Sequence, residues 1–164
     1  IDAPYYKPFV YENYRHFDIF IGSEMYYDAM CRANGYDAAE YEKNMNTIRA
    51  EGCEIVIFTF GEKGCRGVYA DKYFELPAIE VKAVDTTGAG DVFHGAFDYA
   101  YLQGWDAERC ARFATGVSAI KCTRPGGRSG IPTLGVLEKF LETGEIDYSE
   151  IDTRVAHYQH GITV

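Results

Sequence analysis

The sequence lacks any apolar run near the roughly 20 residues that cross a bilayer, which argues against a membrane protein. It also lacks an excess of positive charge. The net charge is −9, whereas a nucleic-acid backbone requires clustered lysine and arginine. No secretory signal is recognisable in the sequence. We therefore expect a soluble, cytoplasmic protein that has neither a membrane nor a nucleic acid among its partners.

Two common phosphate-binding motifs are also absent. There is no Gly-x-x-x-x-Gly-Lys-Ser/Thr loop, and a Gly-x-Gly-x-x-Gly pattern fails because Phe93 stands where its third glycine belongs. The negative net charge does not exclude a nucleotide, because backbone amides and a metal ion can hold its phosphates locally. If this chain binds a nucleotide, it therefore does so through some other motif.

The five cysteines form no Cys-x-x-Cys pair, and their number is odd. Cys53 and Cys65 flank or enter probable strands, whereas Cys110 lies in an apolar helical pattern. Small apolar residues in such places pack into a core. We expect reduced, buried, structural thiols and no metal or redox role for them.

The chain is long enough for one domain with a core, and its 47% hydrophobic content is typical of a folded protein. Strand-like and helix-like stretches alternate, which predicts a three-layer α/β/α fold with a mainly parallel sheet. Residues 54–60 are apolar almost throughout, as in a central strand covered on both faces. We expect them to pair with the apolar run at 17–21.

Further elements follow from the periodicity and from the residues that begin and end helices. Asp37 and Asp106 are candidate helix N-caps, and Gly144 is a candidate helix stop. The predicted strands are 65–70, 73–76 and 79–84, and the predicted helices are 23–33, 37–51, 88–103, a segment that follows Asp106, and 132–141.

The most informative segment is Asp-Thr-Thr-Gly-Ala-Gly-Asp at 85–91, which runs directly into an amphipathic helix. Gly88, Ala89 and Gly90 carry almost no side chain, so a phosphoryl group can approach their N–H groups at the helix N-terminus. Asp91 can accept a proton from an attacking hydroxyl. The segment predicts an anion hole with a base beside it, as phosphoryl transfer requires. A plain helix cap is the alternative role for Asp91.

At these residues the chain resembles the ribokinase-like (PfkB) carbohydrate kinase family. The carboxy-terminal signature of that family is Asp-Thr-x-Gly-Ala-Gly-Asp, followed by an aromatic residue and a Gly-Ala pair, and the resemblance spans about residues 1 to 143. It implies a ribokinase-like fold and ATP-dependent phosphorylation of a sugar hydroxyl. It also implies that Asp91 is the general base and that Gly88, Ala89 and Gly90 form the anion hole.

The resemblance further implies two metal ions. A monovalent cation such as K⁺ would be held by Asp85, Thr87 and the loop 121–130, which includes Gly126, although an ordinary interhelical turn is the alternative for this loop. The Mg²⁺ of the nucleotide is often placed by an Asn-x-x-Glu segment in the family. Here Ser23 and Tyr26 stand at those two positions, so only Glu24 remains to act through a water, unless it merely caps a helix.

The nucleotide contacts implied by the resemblance come from a loop after a central strand and from the signature itself. An ordinary turn is the alternative interpretation of the loop. The residues concerned are Thr59, Gly61, Glu62, Lys63, Gly64 and Thr86.

Members of the family run to about twice this length, and their lid and sugar-binding residues lie in the amino-terminal half. We therefore interpret residues 1–164 as the carboxy-terminal part of one kinase domain, inactive alone, with a tail at 148–164 of unassigned role. Its expected partners are a small-molecule sugar and the amino-terminal half of the same protein, and a homodimer stays open. The alternatives are a nucleoside or vitamin-precursor kinase of the same fold, or a non-catalytic binding module.

Overall fold

The structure is a computed structural model that describes the backbone of residues 7–160 and the side chains of residues 7–157. The chain divides into two compact units, one on each side of the bond between Ala78 and Ile79. No helix in the described part of the chain is long and apolar enough to cross a membrane. The prediction of a single kinase domain stays a prediction.

The first unit is an α/β unit with four strands between residues 7 and 78, the part that the structure describes. Its elements, in chain order, are α1 (Pro8–Tyr11), a 3₁₀ turn (Tyr14–His16), β1 (Ile19–Ser23), α2 (Glu24–Asn34), α3 (Tyr41–Ala50), β2 (Ile55–Thr59), a second 3₁₀ turn (Gly61–Lys63), β3 (Cys65–Tyr69) and β4 (Lys72–Leu76).

The sheet has the order β1-β2-β3-β4 among the described strands. As expected, β1 and β2 are adjacent and parallel, with Ile19 opposite Ile55 and Ser23 opposite Thr59. The other two pairs are antiparallel, so the sheet is mixed and the expectation of a mainly parallel sheet is corrected. The physical reason is that short turns connect β2 to β3 and β3 to β4, and such turns can join only antiparallel neighbours.

Aromatic side chains fill the core of the first unit. Tyr27 of α2 packs its ring edge-on to Phe58 of β2, with the ring centroids 5.1 Å apart. Asn44 of α3 is buried and donates to the Tyr27 hydroxyl at 3.0 Å and to the Asp37 carbonyl at 2.7 Å. The carboxylate of Asp37 accepts the N–H of Ala39, so Asp37 stabilises a turn and α3 begins later than predicted.

The described residues of the second unit, 79–160, form four helices: α4 (Ala89–Leu102), α5 (Ala107–Cys122), α6 (Leu134–Thr143) and α7 (Ser149–His160). Asp106 caps α5 by accepting the N–H of Arg109 at 3.0 Å, and Gly144 ends α6 with φ at 76°, both as predicted. The predicted strand at 79–84 does not form. Instead the N–H of Val84 donates to the Cys122 carbonyl at the end of α5.

All five cysteines are buried free thiols, as expected. Cys31, Cys53 and Cys65 lie in the first unit, and Cys110 and Cys122 lie in the second. Burial raises the pKa of the Cys53 and Cys110 thiols to about 11, because the charged thiolate is poorly solvated there. The thiols therefore serve as small apolar core groups.

Candidate active site

The signature segment begins with a carboxylate that holds two parts of the second unit together. One oxygen of Asp85 accepts the N–H of Thr87 at 2.8 Å, and the other accepts the N–H of Gly126 at 2.7 Å. These N–H donors, with a contribution from the charge of Lys121, lower the pKa of Asp85 from 3.8 to about 2. Asp85 thus stays ionised and fixes the signature turn to the loop between α5 and α6.

The turn enters α4 through Gly88, whose φ of 74° lies in the left-handed region that favours glycine. A side chain at this position would also meet the backbone of the loop, since a Cβ would lie 3.3 Å from the Gly127 carbonyl oxygen. Gly88 is therefore required both by the turn and by its close packing on the loop.

The first turn of α4 presents N–H groups that have no acceptor within the described residues. They belong to Gly88, Gly90 and Asp91, and the space around Gly90 is open. The N–H of Ala89 was expected to join them, but it donates to the Thr86 carbonyl at 3.0 Å. The helix dipole adds partial positive charge at this end of α4, so the arrangement suits an anion.

The Asp91 carboxylate differs from that of Asp85. It is exposed and makes no hydrogen bond to any residue that the structure describes. It lies beside the turn, because a Cβ on Gly88 would stand 3.8 Å from Asp91 Oδ2. A carboxylate without donors retains its lone pairs for a substrate proton. Of the two acids in the signature, Asp91 is thus the one available as a base.

Lys121 lies behind the turn and was not singled out from the sequence. It is fully buried in the last turn of α5, and its Nζ donates to the Asp85 carbonyl at 2.9 Å and to the Thr87 carbonyl. The available signal was its place in the apolar stripe of α5, four residues after Val117. A lysine in such a stripe buries a charge and needs dedicated acceptors.

The tail at 148–164 contributes a helix that braces the same loop. The Arg124 guanidinium makes two hydrogen bonds to the Asp152 carboxylate of α7, at 2.5 and 3.1 Å, and lies 3.7 Å from the centre of the Tyr148 ring. Arg154 of α7 donates to the Ile131 carbonyl at 2.5 Å. The tail therefore supports the loop that contacts the signature turn.

In the first unit, the predicted nucleotide loop follows β2 at the carboxyl end of the parallel pair. Thr59 Oγ1 donates to the Gly22 carbonyl of β1 at 3.4 Å, and Lys63 forms an ion pair with Glu24 at 2.7 Å. Ligands of open α/β sheets bind at the carboxyl ends of parallel strands. The structure thus brings together the predicted nucleotide loop of the first unit and Glu24.

Two glycines of this loop differ in their surroundings. Gly61 has φ at 57° with nothing within 4 Å of the position that a Cβ would take, whereas a Cβ on Gly64 would lie only 2.0 Å from the Leu76 carbonyl oxygen. Gly64 is therefore required by the packing of the loop on the end of β4. Glu62, and Thr86 in the signature turn, are exposed to solvent.

The residues present do not build a magnesium site of their own. Tyr26, at the position of the family glutamate, is buried with its hydroxyl 2.6 Å from that of Tyr14, and the Glu24 carboxylate is paired with Lys63. Within the described residues, no group of three or more His, Cys, Asp or Glu side chains could hold a metal ion. Magnesium that is bound mainly by nucleotide phosphates and waters would be compatible with this donor set.

Several known proteins are similar to most of this chain. A nucleoside kinase of Methanothermobacter thermautotrophicus is 33% identical over 118 residues, which are 72% of this chain and 36% of the relative. The ribokinase structure from Thermotoga maritima is 34% identical with a TM-score of 0.72, and the match covers 80% of this chain and 44% of that one. A putative ribokinase II from E. coli in complex with ATP and Mg²⁺ is 28% identical with a TM-score of 0.70, over 81% and 42% of the two chains.

The match to solved structures confirms a ribokinase-like α/β fold for the part of that fold which this chain covers. The chain spans about a third of the length of the curated relatives it matches, 32% and 36% for the first two. The family model described as pfkB family carbohydrate kinase matches residues 4–134, which include the whole signature and the loop behind it. The chain belongs to the pfkB family of carbohydrate kinases.

Proposed function

We propose that this chain is the catalytic, carboxy-terminal part of a kinase that transfers the γ-phosphoryl group of ATP to a sugar hydroxyl. The observation that carries the proposal is the exposed Asp91 carboxylate beside three N–H groups at the start of α4 that have no acceptor among the described residues, those of Gly88, Gly90 and Asp91. A base next to a fixed anion site is what transfer from a nucleotide to an alcohol requires.

The chemistry assigned to these residues is the following. Asp91 accepts the proton of the attacking hydroxyl as that oxygen forms a bond to the γ-phosphorus. The bond from the γ-phosphorus to the bridging oxygen breaks, and ADP leaves. The N–H groups stabilise the negative charge on the phosphoryl oxygens, and loss of one such donor costs about 3 kcal/mol in comparable oxyanion sites.

We propose that the loop after β2 contributes to nucleotide binding through Thr59, Gly61, Glu62 and Lys63, and that Thr86 contributes from the signature turn. The position of the loop at the carboxyl ends of β1 and β2 supports the assignment of the loop residues. When bound, Mg²⁺ would neutralise the phosphate charge. The chain's own contribution is limited to Glu24, which would act through a water after exchanging its bond to Lys63.

The sugar-binding residues are proposed to lie in an amino-terminal half of the same protein. In support, the chain spans only about a third of the length of the curated relatives it matches. The 164-residue chain alone would then bind ATP weakly and transfer nothing, because one reactant has no site.

A nucleoside is the second candidate acceptor, since a relative named nucleoside kinase is 33% identical to this chain and the ribokinase structure is 34% identical. Sugars and nucleosides both carry alcohol groups of the kind that the proposed base would activate. The residues described so far therefore fit either acceptor.

The test is an assay of ADP release with ATP and Mg²⁺ across a panel of ribose, deoxyribose, fructose and several nucleosides. It is run on the 164-residue chain and on the complete gene product. We expect the complete product to use a sugar and the chain alone to be inactive. Preference for a nucleoside would change the acceptor class. Absence of transfer to any acceptor, together with absence of ATP binding, would support the non-catalytic alternative instead.

A further inference from the structure

The ammonium group of Lys121 lies where the family resemblance placed an alkali cation. That cation was expected to bind Asp85, Thr87 and the loop 121–130. In the structure, the main-chain carbonyls of Asp85 and Thr87 both accept hydrogen bonds from Lys121 Nζ. Both signature residues expected to hold K⁺ are thus already engaged, through their carbonyls, by a positive charge that belongs to the chain.

Several other oxygen atoms of Asp85 and of the loop 121–130 also accept hydrogen bonds. Both carboxylate oxygens of Asp85 accept backbone N–H groups, one of them from Gly126 in the loop. The Pro125 carbonyl accepts the hydroxyl of Ser129, and the Lys121 carbonyl accepts the N–H of Arg124 at 3.3 Å. A carbonyl cage for a large cation needs several such oxygens directed inward. The residues present do not fit a K⁺ ion in addition to Lys121.

Because Lys121 is buried, acceptor groups of the protein must replace the water around its charge. The side chain is fully buried, and a buried ammonium is stable only where acceptors replace its lost water. An ammonium group and K⁺ carry the same charge, are of similar size, and are both bound by carbonyl oxygens. A second cation beside Lys121 would be repelled by it at short range.

We propose that Lys121 is a tethered replacement for the alkali cation, so that the Asp85–Thr87 turn is held in place without K⁺. A bound alkali cation would make the protein depend on K⁺, whereas we expect its stability and activity to be independent of K⁺. Lys121 is a positioning residue: it acts through the carbonyls of the turn and has no direct contact with a reactant. Its consequence for catalysis rests on the proposed function, whereas its consequence for cation binding does not.

The experiment measures thermal unfolding and thallium binding in parallel, because Tl⁺ is a spectroscopic substitute for K⁺. The native protein is melted in potassium, lithium or choline chloride at equal ionic strength, and Tl⁺ binding is followed by thallium NMR. We expect equal melting temperatures in the three salts and no saturable Tl⁺ binding. A K⁺-specific rise in melting temperature, or stoichiometric Tl⁺ binding by the native protein, would overturn the proposal.

The variant Lys121→Met removes the ammonium and keeps most of the side-chain length. We expect it to melt several degrees lower in choline chloride and to recover part of that loss in potassium chloride, saturably, with Tl⁺ binding appearing. Lys139→Met, on the exposed face of α6, is the matched control and should show no salt-specific change. The proposal is refuted if Lys121→Met folds, binds no Tl⁺ and has a melting temperature that does not depend on K⁺.

If Lys121→Met does not fold in any salt, the native measurements decide alone, since they require no variant. The complete gene product supplies an independent check: its transfer rate should be the same in potassium and in choline chloride. If the complete gene product transfers no phosphoryl group in either salt, the proposed function is contradicted, and the cation-binding result still stands. K⁺-stimulated transfer would contradict this proposal and leave the proposed function standing.

Discussion

At the scale of single residues, hydrogen-bond donors give the two acids of one motif different properties. Asp85 accepts two N–H groups and lies beside a buried lysine, whereas Asp91 has no donor among the described residues. The same functional group is therefore a structural anchor at one position and a free carboxylate at the other.

The first prediction concerns Asp91. In the complete gene product, Asp91→Asn keeps the shape and removes the basicity, so kcat should fall by about 10²–10⁴-fold while ATP affinity changes little. Asp98→Asn, an exposed change on the same helix, is the control and should leave both unchanged. Near-native turnover of Asp91→Asn would show that this carboxylate only caps α4.

The second prediction concerns the pH dependence of stability. Because the pKa of Asp85 falls from 3.8 to about 2 on folding, its contribution is complete above pH 4 and is lost as pH falls from 4 to 2. Asp85→Asn should therefore be less stable than the native chain at neutral pH, and the difference should shrink over that acid range. Urea unfolding followed by the fluorescence of Trp105, the single tryptophan, measures it. A difference that is constant with pH would contradict the assignment.

How far the sequence predicts the site is clearest from particular residues. Asp91 and the glycines follow from the motif, because small residues and a carboxylate at a helix start have few other uses together. Lys121 does not follow, because its acceptors are carbonyls of residues far away in the chain, and carbonyls leave no trace in residue types. The engaged N–H of Ala89 was missed for a similar reason, since it depends on the turn conformation at Thr86.

At the scale of helices and strands, local patterns predict elements well where one segment provides its own signal. β2 is apolar almost throughout, and its pattern correctly predicts its place beside β1. The segment 79–84 has a strand-like pattern but no strand, because a strand also requires a neighbour, and its last N–H group bonds to the end of α5. A pattern of alternating apolar residues contains no information about that partner.

The loop after β2 gives a third prediction. Gly64→Ala should destabilise the first unit more than Gly61→Ala does, although both residues have positive φ. The left-handed backbone alone costs an alanine about 1–2 kcal/mol at either position. At position 64 the alanine Cβ would also clash with the Leu76 carbonyl, which should add about 1–3 kcal/mol. Denaturant unfolding followed by the near-ultraviolet circular dichroism of tyrosine measures both variants. Equal losses would mean that the β4 end yields to the new methyl group.

The tail helix gives a fourth prediction. Asp152→Ala removes the partner of Arg124 and should lower stability by at most about 1 kcal/mol, because the Asp152 side chain is 54% exposed. The larger effect should be local: hydrogen exchange of α7 amides should accelerate, while α4 amides stay protected. Glu142→Ala, exposed on α6, serves as the control. Unchanged exchange in α7 would show that the ring of Tyr148 and Arg154 suffice to hold the helix.

At the scale of the whole molecule, the described chain consists of a sheet-containing unit and a helical unit, each with its own buried core. The first contains the loop proposed for nucleotide, and the second contains the proposed base and anion site. Because each unit has its own core, a mutation that changes the stability of one unit is expected to be measurable without a change in the stability of the other.

The buried cysteines make the opening of each unit chemically measurable. A thiol reagent reacts with thiolate, so a buried Cys53 or Cys110, with a pKa of about 11, should react only after its surroundings open. In the native chain at neutral pH, labelling should be far slower than for glutathione, and peptide mass spectrometry assigns each adduct to its residue. Rapid labelling of Cys110 without added denaturant would contradict its burial.

The labelling rates report on the opening of each unit separately, since three of the cysteines lie in the first unit and two in the second. If Cys31, Cys53 and Cys65 react at one common rate and Cys110 and Cys122 at another, the units open independently. One shared rate for all five would mean a single cooperative opening. A ligand that slows only one group of thiols would thereby reveal which unit it binds, without a mutation or an assay of turnover.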